Sequence, residues 1–265
     1  MQWFRRKRSR YERIRQRGRD LYDAAAQRDL PWARSIPARM IREGFLRLVL
    51  QPLMEIYLRR RATGKERLDR VNGPVILVAN HSSHIDTPVI LAALPRKLRK
   101  RTAVAAAADY FYRNRLIAAA VSLVFNTVPI DRNGGGLGQK TTGNLDKLLD
   151  QGWNLLVYPE GTRKGGSGRL RRGAAVLAQR HNLPVVPIKV SGTSDAYPVG
   201  RFWPRRLRYR AISKRHPIDI SFGDPIQPTE DPNALIEKVA QFFASGKPDS
   251  VNGGSSSAKR LTRSK

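Results

Sequence analysis

From residue 75 onward, short apolar runs alternate with longer amphipathic ones. VILVA (75–79), AVAAAA (103–108), TVPI (127–130), NLLVY (154–158), VVPIKV (185–190) and IDISF (218–222) are short and mostly bounded by polar or turn residues, which predicts buried strands. Between them, TPVILAAL (87–94), GQKTTGNLDKLLDQG (138–152) and LRRGAAVLAQRHN (170–182) predict helices, the first with Thr87 as N-cap and Pro88 in its first turn. This alternation predicts an α/β domain built on a mixed, largely parallel sheet flanked by helices. Sheets of this kind place ligands beyond the carboxyl ends of their strands.

Upstream, residues 36–61 set Ile41, Phe45, Leu48, Val49 and Ile56 at helical spacings, with Arg39, Arg42, Arg47 and the run Arg59, Arg60, Arg61 around them. Large apolar residues beside arginines predict an amphipathic helical segment at a membrane interface, bent or broken at Pro52. The expected organisation is a basic arm over 1–34, one domain over 35–245 with the interfacial segment at 35–61 and the core at 70–225, and a disordered basic tail over 246–265.

Charge narrows the partners. Fifty Lys and Arg against 21 acids give a formal net charge of +29, so the expected partners are anionic: nucleic acid, anionic lipid or phosphorylated metabolites. With no cysteine in the chain, disulfides, cysteine-ligated metals and a thiol nucleophile are excluded. No window reaches the ~18 uninterrupted apolar residues of a spanning helix; LIAAAVSLVF (116–125) and FLRLVLQPLMEIYL (45–58) come nearest. The basic start lacks the apolar stretch of a secretory signal, so a cytoplasmic protein on a membrane surface is expected. There is no internal repeat, Walker loop or dinucleotide-binding glycine pattern.

The candidate chemistry sits at predicted strand ends. ANHSSHIDTP (79–88) holds two of the chain's four histidines, His81 and His84, with Asp86, on a strand-to-helix turn. A neutral imidazole is a good general base near neutral pH, and a carboxylate on its other nitrogen fixes the tautomer. Spacing alone does not choose between the histidines. His81 and Asp86, five apart, meet only if the backbone turns between them; the plainer reading makes Asp86 a helix cap and a histidine a backbone-bonded residue. TVPIDRNGGG (127–136) offers Arg132 as a fork for a phosphate, or as one more surface arginine. YPEGTRKGGSGRLRRGAA (158–175) combines Glu160, Gly161, Thr162 and Arg163 with Arg171 and Arg172, a set suited to a phosphorylated ligand or to a glycine-rich surface turn. LPVVPIKVSGT (183–193) is a proline-marked strand.

Together, NHSSHID, PIDR, YPEGTR with the downstream RRGA, and the VVPI strand resemble, in order and spacing over residues 70–225, the glycerolipid acyltransferases that include 1-acyl-glycerol-3-phosphate acyltransferases. The resemblance implies that His81, paired with Asp86, deprotonates an acceptor hydroxyl that attacks an acyl thioester. It implies that Arg132, Glu160, Gly161, Thr162, Arg163 and, less directly, Arg172 hold the glycerol phosphate. His84 falls at a variable position. Position 158 is Tyr where Phe is common, and position 82 is Ser where Gln or a similar residue is frequent. The implied product is phosphatidic acid, made without a cofactor or a metal from acyl-CoA or acyl carrier protein and a lysophospholipid acceptor, by a protein held on the cytoplasmic face of the cell membrane. The alternatives are the same chemistry on another lysophospholipid or a glycolipid, or a non-enzymatic nucleic-acid-binding protein, which would leave His81, Asp86 and YPEGTR unexplained. No nucleic-acid partner is expected.

Overall fold

Seven strands form one sheet in the order β1-β9-β6-β2-β5-β3-β4. Its members are β1 (Leu58–Thr63), β2 (Ile76–Ala79), β3 (Thr102–Ala107), β4 (Thr127–Ile130), β5 (Asn154–Val157), β6 (Val185–Ser191) and β9 (His216–Phe222). A separate antiparallel pair joins β7 (Leu207–Tyr209) to β8 (Ile212–Lys214). This is a computed structural model, and it describes residues 29–107, 112, 114–130, 139–160, 170–198, 207–209, 212–228 and 230–245. The expected N-terminal arm, apart from its last six residues, and the expected C-terminal tail lie outside that set.

Strands β6, β2, β5, β3 and β4 all run parallel. Strand β9 is antiparallel to β6, and β1 is parallel to β9. The sheet is therefore mixed and largely parallel, as the alternating pattern predicts, and all six predicted strands are present. Parallel neighbours need crossovers, and these are supplied by the helices α3 (Asp86–Ala93), α4 (Arg115–Phe125), α5 (Gln139–Asp150) and α6 (Gly173–Arg180). A further helix, α7 (Pro232–Ser245), packs against β6 and α6.

Both faces of the sheet are covered. In β2, Leu77 and Ala79 join one core with Val89, Ile90 and Leu94 of the α3 region, while Ile76 and Val78 join a second core with Leu145, Leu149, Leu177 and Val239. The two-residue period of a strand sends alternate side chains to opposite layers, which is why VILVA is apolar throughout.

The N-terminal helical segment departs from expectation. Helix α1 (Ile36–Phe45) passes through a π-helical stretch, Leu46–Leu50, into α2 (Gln51–Tyr57), and the chain is not broken at Pro52. In the π stretch the Gln51 N–H donates to the Leu46 carbonyl, five residues back; widening the register just before Pro52 accommodates the donor that proline lacks. The helix ends at Tyr57, and Arg59, Arg60 and Arg61 belong to β1 instead. Pairing with β9 from Leu58↔His216 to Thr63↔Ser221 overrides the helical reading of this stretch.

Candidate active site

Strand β2 ends at Ala79, and the next residue keeps it attached to the sheet without being part of it. The Asn80 side-chain amide donates to the Val190 carbonyl (2.8 Å) and accepts from the Val190 N–H (2.7 Å). A side chain thus supplies the two bonds that a strand residue would have given β6, and the main chain is released into the turn carrying His81.

Within that turn the backbone bends as the pairing requires. One oxygen of Asp86, Oδ2, lies 2.9 Å from His81 Nδ1 and accepts the backbone N–H groups of Ser82 (2.7 Å) and Ser83 (2.8 Å). Asp86 is fully buried, while the His81 side chain is 19% exposed, so the ring is reachable and its partner is not. Since a carboxylate only accepts, Asp86 holds the proton on Nδ1 and leaves the Nε2 lone pair to receive one. Helix α3 starts at Asp86, one residue earlier than expected, and Thr87 is not its N-cap: the Thr87 hydroxyl lies 2.8 Å from the Tyr158 hydroxyl.

The turn is also tied to the segment after β6. Gly192 takes a φ of +83°, and a Cβ there would stand 2.2 Å from the Pro217 carbonyl oxygen, so only glycine allows the turn that delivers Thr193. The buried Thr193 hydroxyl lies 2.9 Å from Ser82 Oγ, and Ser83 Oγ donates to the Tyr197 carbonyl at 2.8 Å.

Tyr158 follows β5, the strand next to β2, with Val157 opposite Val78 in register. Its ring stacks on the His81 imidazole, centroids 4.2 Å apart and planes 27° apart. Burial, reinforced by the negative charge of Asp86, pushes the Tyr158 hydroxyl far above the usual phenol range, so it stays neutral. Glu160 is half-buried beside the same turn. Burial raises its carboxyl above the ordinary range and Asp86 adds to the rise, against the pull of a hydrogen bond from the His81 backbone and the His81 charge.

Of the expected site residues, His81, Asp86 and Glu160 come together at the carboxyl ends of β2 and β5. Arg172 precedes α6 and donates to Asn233 Oδ1 at 3.4 Å. Arg132, Gly161, Thr162 and Arg163 lie outside the described residues. The strands leading to them, β4 and β5, end on the same edge of the sheet as His81; β4 is three positions from β2, or about 14 Å at ~4.8 Å per strand. His84 turns its ring edge-on to Tyr197, with centroids 6.3 Å apart. Sequence reasoning assigned no role to Asn80 or Thr193 and read Thr87 as a helix cap, because their true partners are 110, 111 and 71 residues distant. Among the described residues, no cluster of three or more His, Cys, Asp or Glu side chains is placed to hold a metal ion.

A solved structure shares this fold. The crystal structure of the 1-acyl-sn-glycerophosphate acyltransferase PlsC from Thermotoga maritima superposes with a TM-score of 0.58, covering 83% of this chain and 81% of that one at 21% identity, which establishes the fold. A chloroplastic 1-acyl-sn-glycerol-3-phosphate acyltransferase of Brassica napus is 28% identical over 140 residues, 52% of this chain and 38% of the relative. The N-acylphosphatidylethanolamine synthase of Arabidopsis thaliana is 34% identical over 166 residues, 58% of this chain and 56% of the relative. This chain therefore spans well under two thirds of either plant relative. The family model described as Acyltransferase matches residues 59–191, about half of the chain, taking in the first three strand-end segments and the VVPI strand of the fourth, and the chain belongs to that family.

Proposed function

We propose that this protein transfers a fatty acyl group from an acyl thioester to the free hydroxyl of 1-acyl-glycerol-3-phosphate, giving phosphatidic acid. The observation that carries the reading is the His81–Asp86 pair, with a buried carboxylate on Nδ1 and a reachable ring. In the reaction, His81 Nε2 takes the proton of the acceptor hydroxyl as its oxygen bonds to the thioester carbonyl carbon. The C–S bond then breaks, and the thiolate leaves with the proton held by His81. One ester forms, one thioester is consumed, and no acyl-enzyme is needed. Asp86 keeps the ring oriented and stabilises its protonated form. Arg132, Glu160, Gly161, Thr162 and Arg163 hold the glycerol phosphate, with Arg172 assisting. The donor is acyl-CoA or acyl carrier protein, and no nucleic acid takes part.

The protein works on an anionic membrane surface, peripherally on the cytoplasmic face. Ile36, Met40, Ile41, Leu48 and Val49 of the N-terminal helical segment and Leu116 and Ile117 of α4 are exposed large apolar residues, and α1 packs against α4. Exposed Arg47, Arg59, Arg61 and Arg115 lie in or beside these elements, a combination that favours an anionic interface. Among the described residues no helix is long and apolar enough to cross a membrane.

A second reading keeps the chemistry and changes the acceptor, because one relative's name specifies N-acylphosphatidylethanolamine synthesis. A mass-spectrometric screen of the purified protein decides between them. Acyl-CoA and acyl carrier protein are each supplied with lysophosphatidate, other lysophospholipids, a glycolipid and phosphatidylethanolamine in vesicles. Phosphatidate as the main product, absent with His81→Ala, is the expected result; a preferred amine or glycolipid acceptor would replace the first reading with the second.

A further inference from the structure

Four side chains close a ring at this site. His81 bonds to Asp86; Asp86 and Thr87 are consecutive in the first turn of α3; Thr87 bonds to Tyr158; and Tyr158 stacks on His81. A single hydrogen bond from Nδ1 to Asp86 fixes one direction in the imidazole and leaves the ring free to swing about that line. A flat surface in contact with its face removes the swing. Tyr158 offers such a surface, anchored at its base by the β5–β2 ladder and at its tip by Thr87.

We infer that Tyr158, latched through its hydroxyl to Thr87, is the positioning residue that sets the plane of the His81 ring, and so the line along which Nε2 meets the acceptor hydroxyl. The same helical turn thereby aligns His81 twice, directly through Asp86 and at one remove through Thr87. The latch is partly buried, where a hydroxyl left without its partner carries a cost, so the two hydroxyls belong together. The inference rests on His81 acting as the general base.

The test uses Tyr158→Phe, Tyr158→Leu, Thr87→Val and the double variant Tyr158→Phe/Thr87→Val, with steady-state kinetics on the acceptor the screen identifies. Tyr158→Leu removes the stacking surface and should lower kcat by about 10- to 100-fold with KM within about twofold, since a misaligned base loses rate rather than affinity. Tyr158→Phe keeps the surface and should recover kcat to within about threefold of wild type. Thr87→Val strands the Tyr158 hydroxyl and should lower kcat more than Tyr158→Phe does. The double variant should then exceed Thr87→Val alone, a non-additivity of the kind neighbouring groups show. A second readout needs no turnover: the His81 ring protons, identified by their loss in His81→Ala, should be shifted upfield by the tyrosine ring current in NMR spectra. That shift should survive Tyr158→Phe and vanish in Tyr158→Leu. Wild-type kcat in Tyr158→Leu, beside an inactive His81→Ala, overturns the positioning role and leaves the base intact. Full activity in His81→Ala overturns the general-base reading itself.

Discussion

Two histidine–carboxylate contacts in this protein have nearly the same length and opposite prospects. His81 Nδ1 lies 2.9 Å from Asp86, and His181 Nε2 lies 2.8 Å from Asp146. In the second case the other ring nitrogen is occupied too, because Nδ1 lies 3.0 Å from Asp150, and Arg180 also binds Asp146. With a carboxylate beside each ring nitrogen, His181 has neither one open to a substrate; it clips the end of α6 to α5. Asp86 is fully buried and engages only one side of its histidine, whereas Asp150 is 68% exposed. A short His–Asp distance is therefore no signature of a base. What distinguishes His81 is a second nitrogen with no hydrogen-bond partner among the described residues, on a ring whose carboxylate solvent cannot reach.

That contrast can be broken at several points. His81→Ala should remove about 10²- to 10⁴-fold of kcat, the range general-base assistance usually supplies, measured by product formation at saturating acceptor. Asp86→Asn keeps the size of the side chain and an oxygen for the Ser82 and Ser83 N–H groups but removes the charge opposite the protonated ring. It should cost about 10²-fold in kcat with KM little changed.

Glu160→Gln addresses the electrostatics of the turn through stability. Burial raises the Glu160 carboxyl in the folded state, so over the pH range from the ordinary glutamate value up to that raised one the folded protein binds the proton more tightly than the unfolded chain does. Stability due to this group is full below the ordinary value and declines as pH rises through the raised one. Denaturant titrations across that range should show Glu160→Gln gaining on wild type as pH increases and matching it in acid; a constant difference would remove Glu160 from the buried environment. His181→Ala should have the smallest effect, leaving kcat within about twofold and lowering stability by about 1 kcal/mol or less, as for other partly exposed ion pairs. If it matched His81→Ala in activity, the distinction between the two pairs would fail.

How much of this was legible in the sequence depends on how local the cause is. The strands carrying the four segments are short apolar runs, buried because the sheet is covered on both faces, and their pattern suffices. The His81–Asp86 pair is local as well, since the turn between them closes through its own backbone, but spacing left His81 and His84 open and only the family resemblance chose His81. Strand β1 is different: LRRRAT has three arginines in six residues, and only Leu58 is fully buried, so its extended form comes from β9, more than 150 residues away. Helix α4 was visible only as an apolar run too short to span a membrane, and α7 falls between the predicted elements and the expected tail. Asn80 carries no mark of its role either, because an asparagine after a strand reads as a turn former until its partner in β6 is seen.

The way Asp86 is held also fixes which positions of the turn can vary. Two of its three donors are main-chain N–H groups, those of residues 82 and 83, and any amino acid except proline provides one. For holding Asp86 only their peptides matter, while the Ser82 and Ser83 hydroxyls serve the separate tie to Thr193 and Tyr197; Asn80, His81 and Asp86 act through atoms no other residue duplicates. A saturation library over residues 80–86 should accordingly be permissive at the part-exposed position 82, with proline as the sharp exception, and confined to small residues at 83, whose side chain is buried.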